Sequence, residues 1–287
     1  MTDNIRNALI FGLDADEYHN GGIENEVSNT MLTHMAKSPR HCYALHYADE
    51  RPRQFSTPAM FAGTLAHCMI LEPHTVLNRY VVKPENYDGR TVAGKAWLAS
   101  LVPNMKIVSE QQLQTAHAQR EAVLAVPELA HLFSSGHAEV SAFWTDEKTG
   151  QHCRCRPDWI HTRSNGHVIC IDLKTAVDVS PDGFAKSIAT YGYHRQQAHY
   201  VAGLEANGLI VDEFVFAAVS NAYPFIAVPY VLDIEASVQG WEEVAELLAL
   251  HAECMKTGIW PAYGSGRKYI SLPKWASRSN EIEVRDE

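Results

Sequence analysis

The chain has 287 residues, 46 % of them hydrophobic, and carries 24 Lys+Arg against 34 Asp+Glu for a net charge of −10. The apolar content suits a sizeable core, and the length suits one domain spanning 1–287, with no run of 18 apolar residues and no basic-then-apolar leader, so the expectation is a protein without a membrane association that stays in the cytoplasm. An acidic balance argues against a purely charge-driven nucleic-acid partner, although a local basic groove or a bound cation can coexist with an acidic exterior.

The elements read in chain order begin with the apolar run Ala8–Phe11, followed by acids and a Gly21-Gly22 turn. Ser28 has the chemistry of an N-cap for a helix over 29–37, and Ser38-Pro39 stops it before a second helix over 41–47. Residues 58–71 (PAMFAGTLAHCMIL) predict a buried helix that carries His67. Tyr80–Val82 suggests a strand, and the Gly- and Pro-punctuated stretch up to 106 is left without assignment. Residues 109–126 predict an amphipathic helix with Leu113, Ala116, Val123 and Leu124 near one stripe, and Pro127 opens another short helix. The first 135 residues are therefore expected to be mainly helical.

From His137 the pattern changes to period two. Residues 137–144 alternate as a strand holding Glu139, residues 146–150 (DEKTG) form a turn, and 151–161 form the partner strand holding Asp158. Arg163–Gly166 is a second turn, and 167–174 is a third strand built on Val168-Ile169-Cys170-Ile171. Residues i and i+2 share a strand face, so this strand delivers Asp172 and Lys174 together. Two carboxylates and an amine at this spacing suit a metal-dependent hydrolase site, the carboxylates holding Mg²⁺ and the amine orienting or deprotonating a water. Glu139 is a possible further carboxylate for a second ion. Arg154 and Arg156 share the parity of Asp158, which makes them candidate phosphate (DNA-binding) contacts. Helices follow at 181–190 and 193–207, with Gln196 and Tyr200 four apart on one face. Apolar strands at 213–219 and 226–231 precede a long helix over 233–256 that Gly258 ends. The tail mixes Trp260, Tyr263, Arg267, Lys268, Tyr269, Lys274 and Trp275, either a wrap over the core or a strand-tracking surface. Cys153-x-Cys155 lacks any accompanying pair, and GxGxxG, Walker A, HExxH and G-x-S-x-G are all missing.

Pro157-Asp158 followed by Asp172-Leu173-Lys174 resembles the signature of the PD-(D/E)XK nucleases. Together with S-N-T-M-L…S-P at 28–39, G-T-L-A-H…L-E-P at 63–73, a strand Glu and Gln-x-x-x-Tyr at 196–200, it is similar to the RecE, or exonuclease VIII, family. The resemblance implies an α/β (α+β) restriction-endonuclease-like core with a central mixed sheet flanked by helices, preceded by the helical region. It implies Mg²⁺, with Mn²⁺ able to substitute, held by His67, Asp158, Asp172 and the Leu173 carbonyl. Lys174 is then the catalytic lysine, and Gln196 and Tyr200 would brace it and bond to the scissile region. The implied activity is 5′→3′ digestion of linear double-stranded DNA from its ends, processive through a ring-like homo-oligomer (a trimer or tetramer), leaving 3′ tails for a single-strand annealing recombinase of phage or prophage type. A structure-specific or restriction-type endonuclease, a non-catalytic DNA-binding module and an unrelated small-molecule metalloenzyme are the alternatives.

Overall fold

The computed structural model of the protein describes residues 7–20, 26–51, 56–264 and 266–272. In chain order it contains strand β1 (Ala8–Ile10), helices α1 (Ala15–Asn20), α2 (Asn29–Lys37), α3 (Pro39–His46), α4 (Pro58–Leu71) and α5 (Val76–Arg79), strand β2 (Tyr80–Val82), helix α6 (Val92–Ala99), strand β3 (Lys106–Val108), and helices α7 (Glu110–Ala125) and α8 (Pro127–Ser134). Then come β4 (His137–Ala138), β5 (Ser141–Thr145), β6 (His152–Cys155), β7 (Trp159–Thr162), β8 (Val168–Ala176), α9 (Pro181–Tyr191), α10 (Tyr193–Ala206), β9 (Val211–Ser220), β10 (Ala227–Tyr230) and α11 (Ile234–Thr257).

The helix ends follow local chemistry. Ser28 Oγ accepts from the Met31 N–H at 3.3 Å, and Ser38 ends α2 while capping α3 through the His41 N–H at 3.3 Å. Because Pro39 is tolerated at the first helical position, α3 begins there and not at 41. Ser109 and Gln112 form a reciprocal capping box that starts α7. Gly258, at φ 70°, takes the left-handed conformation that closes α11.

The main sheet has the order β10-β9-β8-β7-β4. Its one parallel pair is β8–β9, joined by the crossover through α9 and α10; the other neighbours are antiparallel. Side-chain alternation along β8 sets the two faces. Ile169, Ile171 and Leu173, with Val215, Ala217 and Val219 of β9, pack against Ile70, Leu71, Val123, Leu129 and Leu132 of α4, α7 and α8. Cys170, Phe214, Phe216 and Ala218 point the other way, into a core shared with α2, α10 and α11. Asp172 and Lys174 have the parity of Cys170 and therefore face α10.

Two expectations are corrected. The stretch 137–144 is not one strand, and neither is 151–161. β4 and β7 belong to the main sheet, whereas β5 and β6 pair with β1 in a separate three-stranded antiparallel sheet. An unbroken period-two pattern cannot reveal that a strand changes sheets midway. In the unassigned stretch, Thr91 caps α6 through the Gly94 N–H at 3.0 Å, and β3 pairs in parallel with β2. Trp260 packs on Tyr43 and Tyr47, the wrap reading of the tail, while Arg267, Lys268 and Tyr269 are exposed and Lys274 and Trp275 lie outside the described residues. All six cysteines are buried thiols, and among the described residues no helix is long and apolar enough to cross a membrane.

Candidate active site

The site forms where two chain segments leave one sheet for the other. Between β4 and β5, Glu139 adopts φ 53°, an uncommon left-handed conformation for a residue with a side chain. Between β6 and β7 the chain passes through Arg156, Pro157 and Asp158, and proline, lacking an N–H, suits a residue leaving a ladder. The segments meet at this seam: the Glu139 N–H donates to the Asp158 carbonyl at 3.0 Å, and Arg156 Nε lies 2.7 Å from Glu139 Oε2. The carboxylates of Glu139 and Asp158 are thus fixed by one crossing.

β8 supplies the rest. Its register with β7 ends at the Trp159–Ile171 pair. Beyond it, the Leu173 N–H donates to Asp158 Oδ2 at 2.6 Å, so a side chain takes the place of the missing strand. A β residue directs its N–H and C=O toward the same neighbour, so the Leu173 carbonyl also faces the Asp158 side. Asp172 is 1 % exposed and forms an ion pair with Lys174. From α10, Gln196 Nε2 donates to Asp172 Oδ1 at 2.6 Å and Gln196 Oε1 accepts from Lys174 Nζ at 2.9 Å, so one amide bridges both charges. Lys174 Nζ also lies 4.6 Å from the Tyr193 ring centroid. On α4, His67 reaches across to place Nδ1 3.6 Å from Asp158 Oδ1.

Crowding sets the electrostatics. Burial pushes the Asp172 carboxyl up and neighbouring Asp158 adds to this; Lys174 opposes, leaving it at about 6. Burial, then Asp158, raises Glu139 to about 7 against the pull of Arg156. Asp158 is buried too, yet His67, Lys174 and the Leu173 N–H hold it below the ordinary carboxylate range. Lys174 is kept protonated: burial works against the ammonium, and Asp172 and Asp158 overcome it. Burial likewise disfavours the His67 imidazolium, and Asp158 outweighs it and raises the group.

His67, Glu139 and Asp158 each bring a ligand atom within 4.8 Å of the others. Two hard carboxylate oxygens and one imidazole fit a divalent cation such as Mg²⁺ or Mn²⁺. Asp172 stands beside this trio, occupied by Lys174 and Gln196.

Three sequence-derived assignments come out differently in place. Arg154 and Arg156 do share a face, but that face meets the N-terminal segment. Arg154 Nη1 donates to the Tyr18 carbonyl at 2.5 Å, Arg156 Nη2 donates to the Leu13 carbonyl at 2.9 Å, and both guanidiniums lie against the Tyr18 ring. They are tied into the fold by partners more than a hundred residues away, which strand parity cannot anticipate. Tyr200 is half-buried, packed on Phe214 and bordering a cleft with Glu139, Arg154 and Arg156, with Cys155 Sγ donating to its carbonyl at 3.8 Å; the contacts that brace Lys174 come from Gln196 and the Tyr193 ring. Tyr193 and the Arg156–Glu139 pair went unrecognised in the sequence. Tyr193 carried a signal, standing three residues before Gln196 on the same helix face.

Comparison with known proteins bears on the fold and the family. One solved structure that superposes is a "Putative exonuclease" from Eubacterium rectale, at 11 % identity, covering 90 % of this chain and 96 % of that one with a TM-score of 0.58, a likeness of fold. SSO0001 (17 % identity, covering 65 % and 86 %, TM-score 0.27) and protein VC1899 from Vibrio cholerae (10 %, 88 % and 58 %, 0.24) superpose too poorly to speak to the fold. No curated protein matches the sequence. Residues 28–273 match the family described as a PDDEXK-like domain of unknown function, DUF3799, and they include every member of the site. The chain belongs to that PDDEXK-like family.

Proposed function

We propose that this protein is a Mg²⁺-dependent exodeoxyribonuclease that digests linear double-stranded DNA from its ends. The observation that carries the reading is the convergence of Asp158, Asp172, Lys174 and Gln196 at one seam, with His67 and Glu139 closing a divalent-cation cluster beside them. His67, Glu139 and Asp158 would hold the ion, with Asp172 and the Leu173 carbonyl at its flank. When bound, such an ion polarises a scissile phosphate and lowers the pKa of a coordinated water. The chain's own part is placement. Asp172 and Gln196 fix the Lys174 ammonium in its charged form, and a fixed cation there can hold a phosphate oxygen or a water and offset negative charge developing on the phosphate. The Gln196 amide fixes the orientation of the Asp172 carboxylate.

The finer reading rests on the RecE resemblance: 5′→3′ polarity, processivity through a trimeric or tetrameric ring, 3′ tails passed to an annealing recombinase, and a cytoplasmic phage or prophage setting. The test is digestion of a linear duplex labelled at its 5′ or its 3′ end, beside a closed circle, with Mg²⁺ and with EDTA. Early Mg²⁺-dependent release of 5′ label with an intact circle supports the reading. A cut circle replaces it with an endonuclease, and untouched DNA throughout sinks it. Light scattering tests the ring, which a strict monomer at micromolar concentration would exclude.

A further inference from the structure

The cleft beside the catalytic lysine has the wrong chemistry for a phosphate and the right chemistry for a base. A space of about 650 Å³ opens between α4, α7, the end of β8 and the α9–α10 corner, bordered by Tyr193, whose ring carries the Lys174 ammonium. Among the described residues its lining contains no Lys, Arg or His and one carboxylate, Asp178. What lines it is neutral amide and hydroxyl together with an apolar rim in which Met60 is 60 % exposed and Val177 84 %. Phosphate recognition needs cations or oriented N–H donors, whereas nucleobases are taken by flat π faces for stacking and by Asn or Gln amides for their edges.

The π face is present and aimed. Phe216, Tyr193 and Tyr191 form a run of stacked rings: Tyr193 lies over Phe216 at 5.8 Å and 25°, and Tyr191 over Tyr193 at 5.7 Å and 25°. The inner ring is buried, whereas the outer ring, Tyr191, is 60 % exposed at the mouth of the cleft. A stack that ends on an exposed ring leaves one face available for a further planar group. Lys174 Nζ is 4.6 Å from the Tyr193 centroid, so the two separations keep the Tyr191 ring within about 10 Å of that nitrogen. That is the span from a phosphate at Lys174 to the base of the same or the next nucleotide. Gln111 and Asn221 stand exposed on the cleft walls with their amides free to meet a base edge.

We infer that this cleft is a nucleobase subsite that takes an unpaired base of the strand being cut, stacked on Tyr191. The inference rests on the nuclease reading for its substrate and goes beyond it in one respect. A base in this cleft is out of its duplex, so the enzyme engages the end of the strand in single-stranded form. Blunt ends would then have to fray before cleavage, and frayed or overhanging ends would be bound first.

The test reads binding separately from cleavage. Fluorescence anisotropy in EDTA compares an eight-nucleotide single strand with the same strand made abasic at every position, against wild type, Tyr191→Phe, Tyr191→Leu and Tyr191→Ala. The expected result is that wild type and Tyr191→Phe bind the base-bearing strand about tenfold or more tighter than the abasic one. Tyr191→Leu and Tyr191→Ala should lose most of that preference while keeping their affinity for the abasic strand. Tyr191 is a surface residue, so its variants are expected to fold. Equal affinity of wild type for the two strands, no binding of either, or an unchanged preference in Tyr191→Ala overturns the subsite. Digestion of linear duplex by wild type with Mg²⁺ is scored in parallel, so loss of the subsite with digestion intact is distinguishable from failure of the nuclease reading.

Discussion

Gln196 offers the sharpest test of how the site is held together. It is 6 % exposed and makes two bonds to opposite charges, donating to Asp172 at 2.6 Å and accepting from Lys174 at 2.9 Å. Hydrogen bonds to charged groups contribute about 1.5–3 kcal/mol each. Gln196→Ala removes both, but Asp172 and Lys174 keep their direct pairing, so the net cost to stability should be about 3 kcal/mol. The same change frees the lysine to rotate, and a fall of about 100-fold in kcat is expected from loss of its positioning. Gln196→Glu keeps the shape and the bond to Lys174 but sets a second carboxylate against Asp172 Oδ1. The two then compete for one proton, so the variant should be closer to wild type at pH 5 and fall away as pH rises, the sign for carboxyls whose folded pKa is raised. Urea unfolding at pH 5 and pH 8, with single-turnover cleavage, measures all of this. A Gln196→Ala protein with wild-type stability and wild-type rate would refute the bridging role.

Asp172→Asn should lower the rate of linear duplex digestion by about 10³-fold at saturating Mg²⁺, because it removes a charge that the lysine and the neighbouring metal site both depend on; near-wild-type digestion would remove Asp172 from the machinery. Arg156→Ala takes away the cation 2.7 Å from Glu139, whose carboxyl already stands at about 7, and should raise it further. At pH 7 a one-unit upward shift from about 7 cuts the ionised fraction about fivefold, so the Mg²⁺ concentration for half-maximal activity should rise about fivefold at pH 7 and recover toward pH 8.5; an unchanged Mg²⁺ titration refutes this. His199 is fully buried and lowered to about 4, chiefly by burial. A histidine held neutral contributes stability that is complete above its unfolded pKa of about 6.5 and is lost as pH falls through 4, up to about 3 kcal/mol for one group. Urea unfolding should therefore weaken between pH 6.5 and 4, and a flat profile across that window contradicts the assignment.

What the sequence made legible is what short-range geometry controls. The parity that joins Asp172 to Lys174, the helix that carries His67, the spacing of Gln196 and the cap at Ser28 all depend on neighbours within a few residues. What it hid is tertiary. The alternation of Ala138, Val140, Ala142 and Trp144 runs unbroken across Glu139, although β4 and β5 lie in different sheets. Ala138 packs into the core under α8, whereas Val140, Ala142 and Trp144 belong to the core shared with α10; the alternation looks the same in either core, and the break shows in the backbone angle of Glu139. Arg154 and Arg156 were placed on the correct face without any means of knowing that Tyr18 and the Leu13 carbonyl cover it. Helix α6 had a readable start, Thr91 as an N-cap, and was masked by the glycines and proline around it.

The site also imposes a cost that a bound cation should relieve. Glu139, Asp158 and Asp172 are crowded at one seam, and the chain meets this by holding two of the three above their ordinary range, at about 7 and about 6. A purely structural cluster would be expected to lose a carboxylate to an apolar or amide side chain, since buried charges seldom stabilise a fold. Retaining all three makes sense if a divalent ion completes the balance of charge. Such an ion binds the folded chain and not the unfolded one, so it must stabilise the fold by mass action. With a dissociation constant of about 1 mM, 10 mM Mg²⁺ gives about 1.4 kcal/mol, or about 2 °C in Tm for a chain of this size. Because the Glu139 carboxyl, at about 7, must lose its proton to act as a ligand, the shift should be larger at pH 8 than at pH 6. Differential scanning fluorimetry with Mg²⁺, Mn²⁺ and EDTA reads this without any activity assay. An Asp158→Asn variant should lose the shift. A Tm that ignores the metal at pH 8, or that responds equally in Asp158→Asn, would mean that the three carboxylates are held together by the fold alone.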